Sequence, residues 1–374
     1  MKNSHRGKIW LPAGLMALGL VAAGCQGLPD RGLSGPANEV VYRGFLLPPR
    51  LRYGATACAI PRAPFMGSDL GGHGYYLSLS EKDGIVYTCR GGHIDTMHAR
   101  IAADWTAYLA ARSYRHLMQG DRSFSYKMMA DRSRHYVQVS YPADWRSLPP
   151  EQRRAVAREV ALLLGPYLAY SMVTWHEILT WHGFRSVGLV GEYQSAFSWE
   201  DGYSNLLGTI IAAQALRDTQ HSYNEAVKIA FDEEMRKLGV QPADVCRQAS
   251  ESVKGTWYTG NVGMSLKVKK RNLDTGWDDG LVTPCLVPNL PACARAEPVS
   301  YPAPTLAALS QYGFAAMVEI EPHEWEKGKI LRIVYPDRRG KRIRPDVHFT
   351  PIMAHIRQEA AQKYGPESVS DSGR

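Results

Sequence analysis

A run of sixteen residues without a charge, Val160 to Trp175, constrains this chain more than any other feature. It is shorter than the ~20 residues that a bilayer crossing needs, and Gly165-Pro166 lies inside it. A helix that is apolar on every side has to be wrapped by the rest of a fold. The run therefore predicts a buried core helix, opened by Pro149-Pro150-Glu151 and continuing to Gly183, with Pro166 kinking it or starting a second helix. His176 and Glu177 follow directly. An unpaired charge is costly to bury, so this dipeptide predicts polar partners inside the protein.

The flanking sequence supplies further helices. Residues 94–118 place Ile94, Met97, Ile101, Trp105, Tyr108 and Leu109 three and four apart. Ser198 with Asp201 suits an N-cap for a helix to Arg217, and Ser222 with Glu225 is a capping box for a helix ending near Gly239. Pro242 starts another helix, to Val253, and a last one covers 351–364. The strand signals lie outside this centre. Residues 75–80 and 84–89 suit a hairpin around Glu81–Gly84, 135–141 alternates, and 315–321 and 329–335 suit two strands joined by a Glu-Lys-Gly turn. The predicted fold class is α+β: a central helical core with β-rich segments before and after it. One globular domain is expected over 40–365, with a tail at 366–374.

The first residues read as a targeting segment. Lys2, Arg6 and Lys8 precede an uncharged stretch from Ile9 to Gly24, as in a signal peptide over 1–24. Val21-Ala22-Ala23-Gly24 before Cys25 resembles a lipobox, which predicts diacylglycerol on Cys25 and a membrane anchor there. Gln26, where Asp would favour inner-membrane retention, points to the outer membrane, with the domain facing the periplasm. Residues 25–39 read as a tether.

Without the three basic residues of that segment the formal charge falls from +8 to +5, which is no nucleic-acid footprint. The positive charge is local: 327–344 holds Lys327, Lys329, Arg332, Arg338, Arg339, Lys341, Arg342 and Arg344 against Asp337. Anionic lipid or cell-wall polymer would suit it as a partner; a solvated hairpin is the plainer reading. Of the five remaining cysteines, Cys285 and Cys293 flank a short Pro-rich loop and are the expected disulfide, with Cys58–Cys89 a second possibility.

Polar residues among apolar ones mark the candidate chemistry. Asp95 and His98 are three apart and share a helix face, a spacing at which both reach one metal ion. The plainer reading is a helix-start acid and a hydrogen-bonded core histidine. Arg100 and Asp104 read as a salt bridge. His176 and Glu177 outrank His182, which lies about 600° further round the helix and beside the Gly183 stop. Glu192 has no capping role to explain it, whereas Asp201 and Asn205 share a helix face and support the site from outside. Gly-x-Ser-x-Gly, phosphate-loop and dinucleotide motifs are missing.

The stretches YTCRGGHIDTMHAR, ADWTAYL, the HE of TWHEILTW, SAFSWEDGYSNLLG and NLDTGWDDG together resemble an uncharacterised family of bacterial lipoproteins, catalogued as a domain of unknown function, DUF4056. The resemblance spans most of 45–365. It implies an envelope location and no particular activity. The family pattern has Phe at His93 and an aromatic at His182, which implies that neither belongs to a shared site. From the residues themselves, the leading expectation is a metal-dependent hydrolase. Asp95, His98, His176 and Glu192 would hold a Zn²⁺-like ion, and Glu177 would act as general base. Two alternatives stay open: a metal-free glycan-cleaving enzyme with Glu177 and Glu192 as paired carboxylates, and a non-catalytic envelope scaffold with a buried polar network.

Overall fold

The computed structural model describes residues 41–42, 45–52, 55–60, 63–76, 78–128, 130–185, 192–260 and 265–369. The expected signal peptide, Cys25, the whole tether at 25–39 and residues 370–374 lie outside them. So does the side chain of Glu192.

Helix α1 (Thr96–Gln119) and helix α2 (Pro150–Trp181) form the centre, with α3 (Asp201–Ala215) packed on α1 and also touching α2. Two glycines set these approaches. A methyl on Gly165 of α2 would sit 2.8 Å from both Ala110 Cβ and Thr106 O of α1. A methyl on Gly208 of α3 would run into the Ala99 carbonyl oxygen. The small residues on α1 thus let three helix backbones come close together. Pro166 lies inside α2 without ending it. Among the described residues α2 is the one helix long and apolar enough to cross a membrane, but 72% of its apolar window is buried in the protein. It is a core helix.

Helices α4 (Tyr223–Leu238) and α5 (Ala243–Ser252) follow. The Ser222/Glu225 capping box and left-handed Gly239 bound α4 as the sequence predicts. A three-stranded antiparallel sheet runs in the order Ala315–Glu321, Arg134–Ser140, Ser123–Tyr126. His135, Val137 and Val139 point inward from its middle strand. The fold class is α+β.

Several expectations are corrected. The hairpin strand Ile85–Thr88 pairs with Gly92–Asp95, not with 75–80. Gly92 at φ +66° makes the return, where a side chain would strike the Cys285 carbonyl. The segment read as a strand at 329–335 is helical, α6 (Lys327–Val334), with Ile330 alone buried. Its β-branched residues suit either state, and the strand at 315–321 already has 134–140 as its partner. Helix α7 (Pro345–Tyr364) begins six residues before the expected position 351, because Pro345 occupies the first turn, where no amide donor is needed. The disulfide joins Cys89 to Cys293, with Cα atoms 5.1 Å apart. Cys285 is instead a buried thiol. Its chain packs beneath the hairpin while the exposed turn at 291–293 reaches over to Cys89.

Candidate metal centre

The start of α1 fixes the first two groups. Asp95 is its N-cap: Oδ1 accepts from the Met97 amide at 2.7 Å, and Oδ2 accepts from the Ala55 amide at 2.8 Å. The same Oδ2 lies 2.7 Å from Nδ1 of His98, one turn along. Asp95 is fully buried, and the His98 side chain keeps 21% of its surface open.

The end of α2 supplies Glu177. Its Oε2 accepts from the Phe197 amide at 2.8 Å. Phe197 holds a left-handed φ of 53°, a strained conformation for a bulky residue, and this turn aims its N–H at the carboxylate. Asp201, at the start of α3, takes the Ser198 amide and hydroxyl on Oδ2 at 2.9 and 2.8 Å. Its Oδ1 lies 3.6 Å from His98 Nδ1. One ligand atom each from His98, Glu177 and Asp201 thus falls within 4.8 Å of the others, on three helices distant in sequence. Glu200 is buried beside them, its Oε1 accepting from Ala57 N at 3.0 Å and its Oε2 without a hydrogen-bond partner. Asn205 Oδ1, one turn along α3, is likewise buried and unpartnered.

Electrostatics explain what these groups do to one another. Burial works to lower the basicity of His98, but Asp201, Asp95 and Glu177 outweigh it and hold the imidazole well above its usual pKa. Burial pushes Asp201 well above the carboxylate range, with Glu177 and Glu200 adding to the rise against the opposing pull of His98. Burial likewise pushes Glu200 up to about 7, despite the hydrogen bond from Ala57. The pocket gathers more negative charge than one imidazolium offsets. Protonation relieves that excess; a divalent cation would relieve it more fully.

The remaining expected residues lie elsewhere. His176 does not join His98: its Nδ1 is 3.9 Å from Asp131 Oδ2 and its ring packs edge-on to Phe184. Neighbours on a helix point about 100° apart, so one of His176 and Glu177 had to face away from the cluster. Glu192 opens a short 3₁₀ turn. Arg100 does not pair with Asp104. Its guanidinium reaches Asp83 at 2.7 Å, while Asp104 holds Arg52 at 2.5 Å and His73 at 2.9 Å. That network straps the segment before the hairpin onto α1 and lies apart from the carboxylate cluster. Asp201, expected to support the site from outside, is in direct reach. Glu200 was not singled out; two adjacent acids ahead of an apolar helix, in SWEDGYSNLL, were its one signal.

A sequence model of the family described as protein of unknown function (DUF4056) matches residues 65–279. The chain belongs to this family. The matched span contains Asp95, His98, Glu177, Glu200 and Asp201, so the DUF4056 region alone carries the whole cluster. It runs from the turn before the hairpin through α5 to the 272–280 turn, and leaves α6 and α7 outside. No curated protein and no solved structure matches the chain.

Proposed function

We propose that this DUF4056 chain is a metal-dependent hydrolase, held by lipid at Cys25 on the outer membrane and facing the periplasm. One observation carries the hydrolase reading: His98, Glu177 and Asp201 bring three ligand atoms within 4.8 Å of one another, and Glu177 and Asp201 each have one oxygen already occupied by a loop amide. A tetrahedral ion with bonds of about 2.1 Å keeps its ligands about 3.4 Å apart, so closure by roughly an ångström completes the site. The donor set, one imidazole and two carboxylates, suits Zn²⁺. Three protein ligands leave a position for water, whose pKa the ion lowers towards 7. Glu177 takes the place of His176 as a ligand in this reading, and Asp95 holds the His98 ring in place at Nδ1.

Elemental analysis of the purified full chain, followed by zinc titration after chelation, tests it. One equivalent bound per chain, lost in His98→Ala and in Glu177→Gln, is the expected result. Absence of any divalent binding would replace this reading with a buried polar network. One observation favours that second reading: Asp95, Glu177 and Glu200 each bind the amide of a distant loop, as a purely structural tie would. The anchoring rests on the small residues before Cys25. Fatty-acid labelling in cells should be abolished by Cys25→Ser; undiminished labelling would refute the anchor.

A further inference from the structure

Trp325 is 92% exposed in the turn that leads into α6. On α6 itself Ile330 faces the core while Lys327, Lys329 and Arg332 face solvent, and Arg338, Arg339 and Lys341 are exposed in the loop that follows. Arg339 meets Asp337 at 3.9 Å. Among the described residues, Lys327, Lys329, Arg332, Arg338 and Lys341 form no salt bridge, whereas Arg342 and Arg344, at the far end of the run, do. A shallow hollow of about 500 Å³ opens beside the helix, lined by His182, Lys329, Arg332, Ile333, His355 and Glu359. Lys329 Nζ donates to the His182 carbonyl at 3.0 Å, and His182 Nε2 is buried with no hydrogen-bond partner. Glu359 is occupied, by the Trp181 indole N–H at 2.8 Å and by His355 at 3.3 Å. The hollow therefore offers two cations, beside a carboxylate that already has its own partners.

We propose that this face docks on an anionic phospholipid bilayer, with Trp325 in the headgroup layer and a lipid phosphate in the hollow beside Lys329 and Arg332. The occupant follows from charge and shape. Unpaired cations attract an anionic surface, each near-surface Lys or Arg contributing about a fivefold gain in affinity. An isolated indole beside them is the side chain that settles at a membrane–water boundary. A wall polymer would account for the cations and leave the indole unexplained. The inference stands apart from the metal centre, which lies in the DUF4056 span, while Trp325 and the cations of this face lie beyond it.

Co-sedimentation of the full-length Cys25→Ser chain, which lacks the proposed lipid, with phosphatidylcholine vesicles, with and without 30% phosphatidylglycerol (a composition chosen for the assay), tests it. Binding should rise at least about tenfold with the anionic lipid and fall by about that factor in Lys327→Glu/Arg332→Glu. Trp325→Ala should weaken binding to the anionic vesicles severalfold. All three side chains are exposed, and Arg338→Glu/Lys341→Glu in the loop repeats the charge test away from the helix. A chain that binds both vesicles equally, or variants that bind as the unaltered chain does, would overturn the proposal. Loss of binding to isolated anionic wall polymer, with vesicle binding unaltered, would overturn it in favour of the polymer.

Discussion

At the scale of single residues, the site is a contest over protons. In the metal-free protein His98, Asp201 and Glu200 all have folded pKa values above their ordinary ones. Each holds a proton in the native state that the unfolded chain releases, so each loses its stabilising effect as pH rises through its folded value. Burial lowers His93 and His135 to about 3 and His182 to about 4. These three stay neutral in the fold while the unfolded chain takes up protons below about pH 6.5, so they destabilise as pH falls. The two sets meet near neutrality. Denaturant titration of the chelated protein should give a stability maximum close to about pH 6. Glu200→Gln should remove the loss of stability that Glu200 contributes between about pH 4.5 and 7, since a rise to about 7 represents on the order of 3 kcal/mol. A maximum above about pH 8 would show that the acids of this cluster ionise freely.

At the scale of elements, the centre exists because α1 carries small residues where α2 and α3 cross it. Gly208→Ala places a methyl against the Ala99 carbonyl, a backbone atom that cannot rotate aside. The helical preference for Ala returns about 1 kcal/mol, and the overlap should exceed it, for a net loss of about 2 kcal/mol. Pushing α3 from α1 also separates Asp201 from His98, so metal affinity should fall with stability. Thermal melting and zinc titration of this variant check both; unchanged values would mean that the helices can part without cost. The helices themselves were legible in the sequence. The period of α1 and the Ser222/Glu225 box marked their elements well. The segment 329–335 was not legible, because a short apolar run has no period that separates strand from helix, and the available strand partner lay nearly two hundred residues back.

At the scale of the whole molecule, the Cys89–Cys293 bridge closes a sequence separation of 204 residues. A crosslink over so long a loop restricts the unfolded chain strongly, and its removal costs typically 2–5 kcal/mol. Cys293→Ser should lower the unfolding free energy by about that much, and Cys285→Ser should leave the bridge intact. Peptide mapping without reduction should recover residues 89 and 293 in one linked species; a linked 285–293 peptide would contradict this pairing. The sequence pointed to the 285–293 loop because nearness along the chain is all that spacing can measure. The bridge actually follows nearness in space, which the hairpin and the 291–293 turn create together.

What this chain determined by sequence alone is what depends on local chemistry: the buried α2, the caps and stops of its helices, the α+β class, and the pairing of Asp95 with His98 across one helical turn. Each is set by residues within a few positions of one another, where period and capping act. Tertiary structure decided which distant groups meet. It turned Glu177 inward and His176 towards Asp131, brought Asp201 and Glu200 to His98, and gave Asp104 to Arg52 and His73. The physical reason is that the rotation of each helix about its axis is chosen by packing over its whole surface. The close approaches at Gly165 and Gly208 set that rotation, and no motif spacing encodes it.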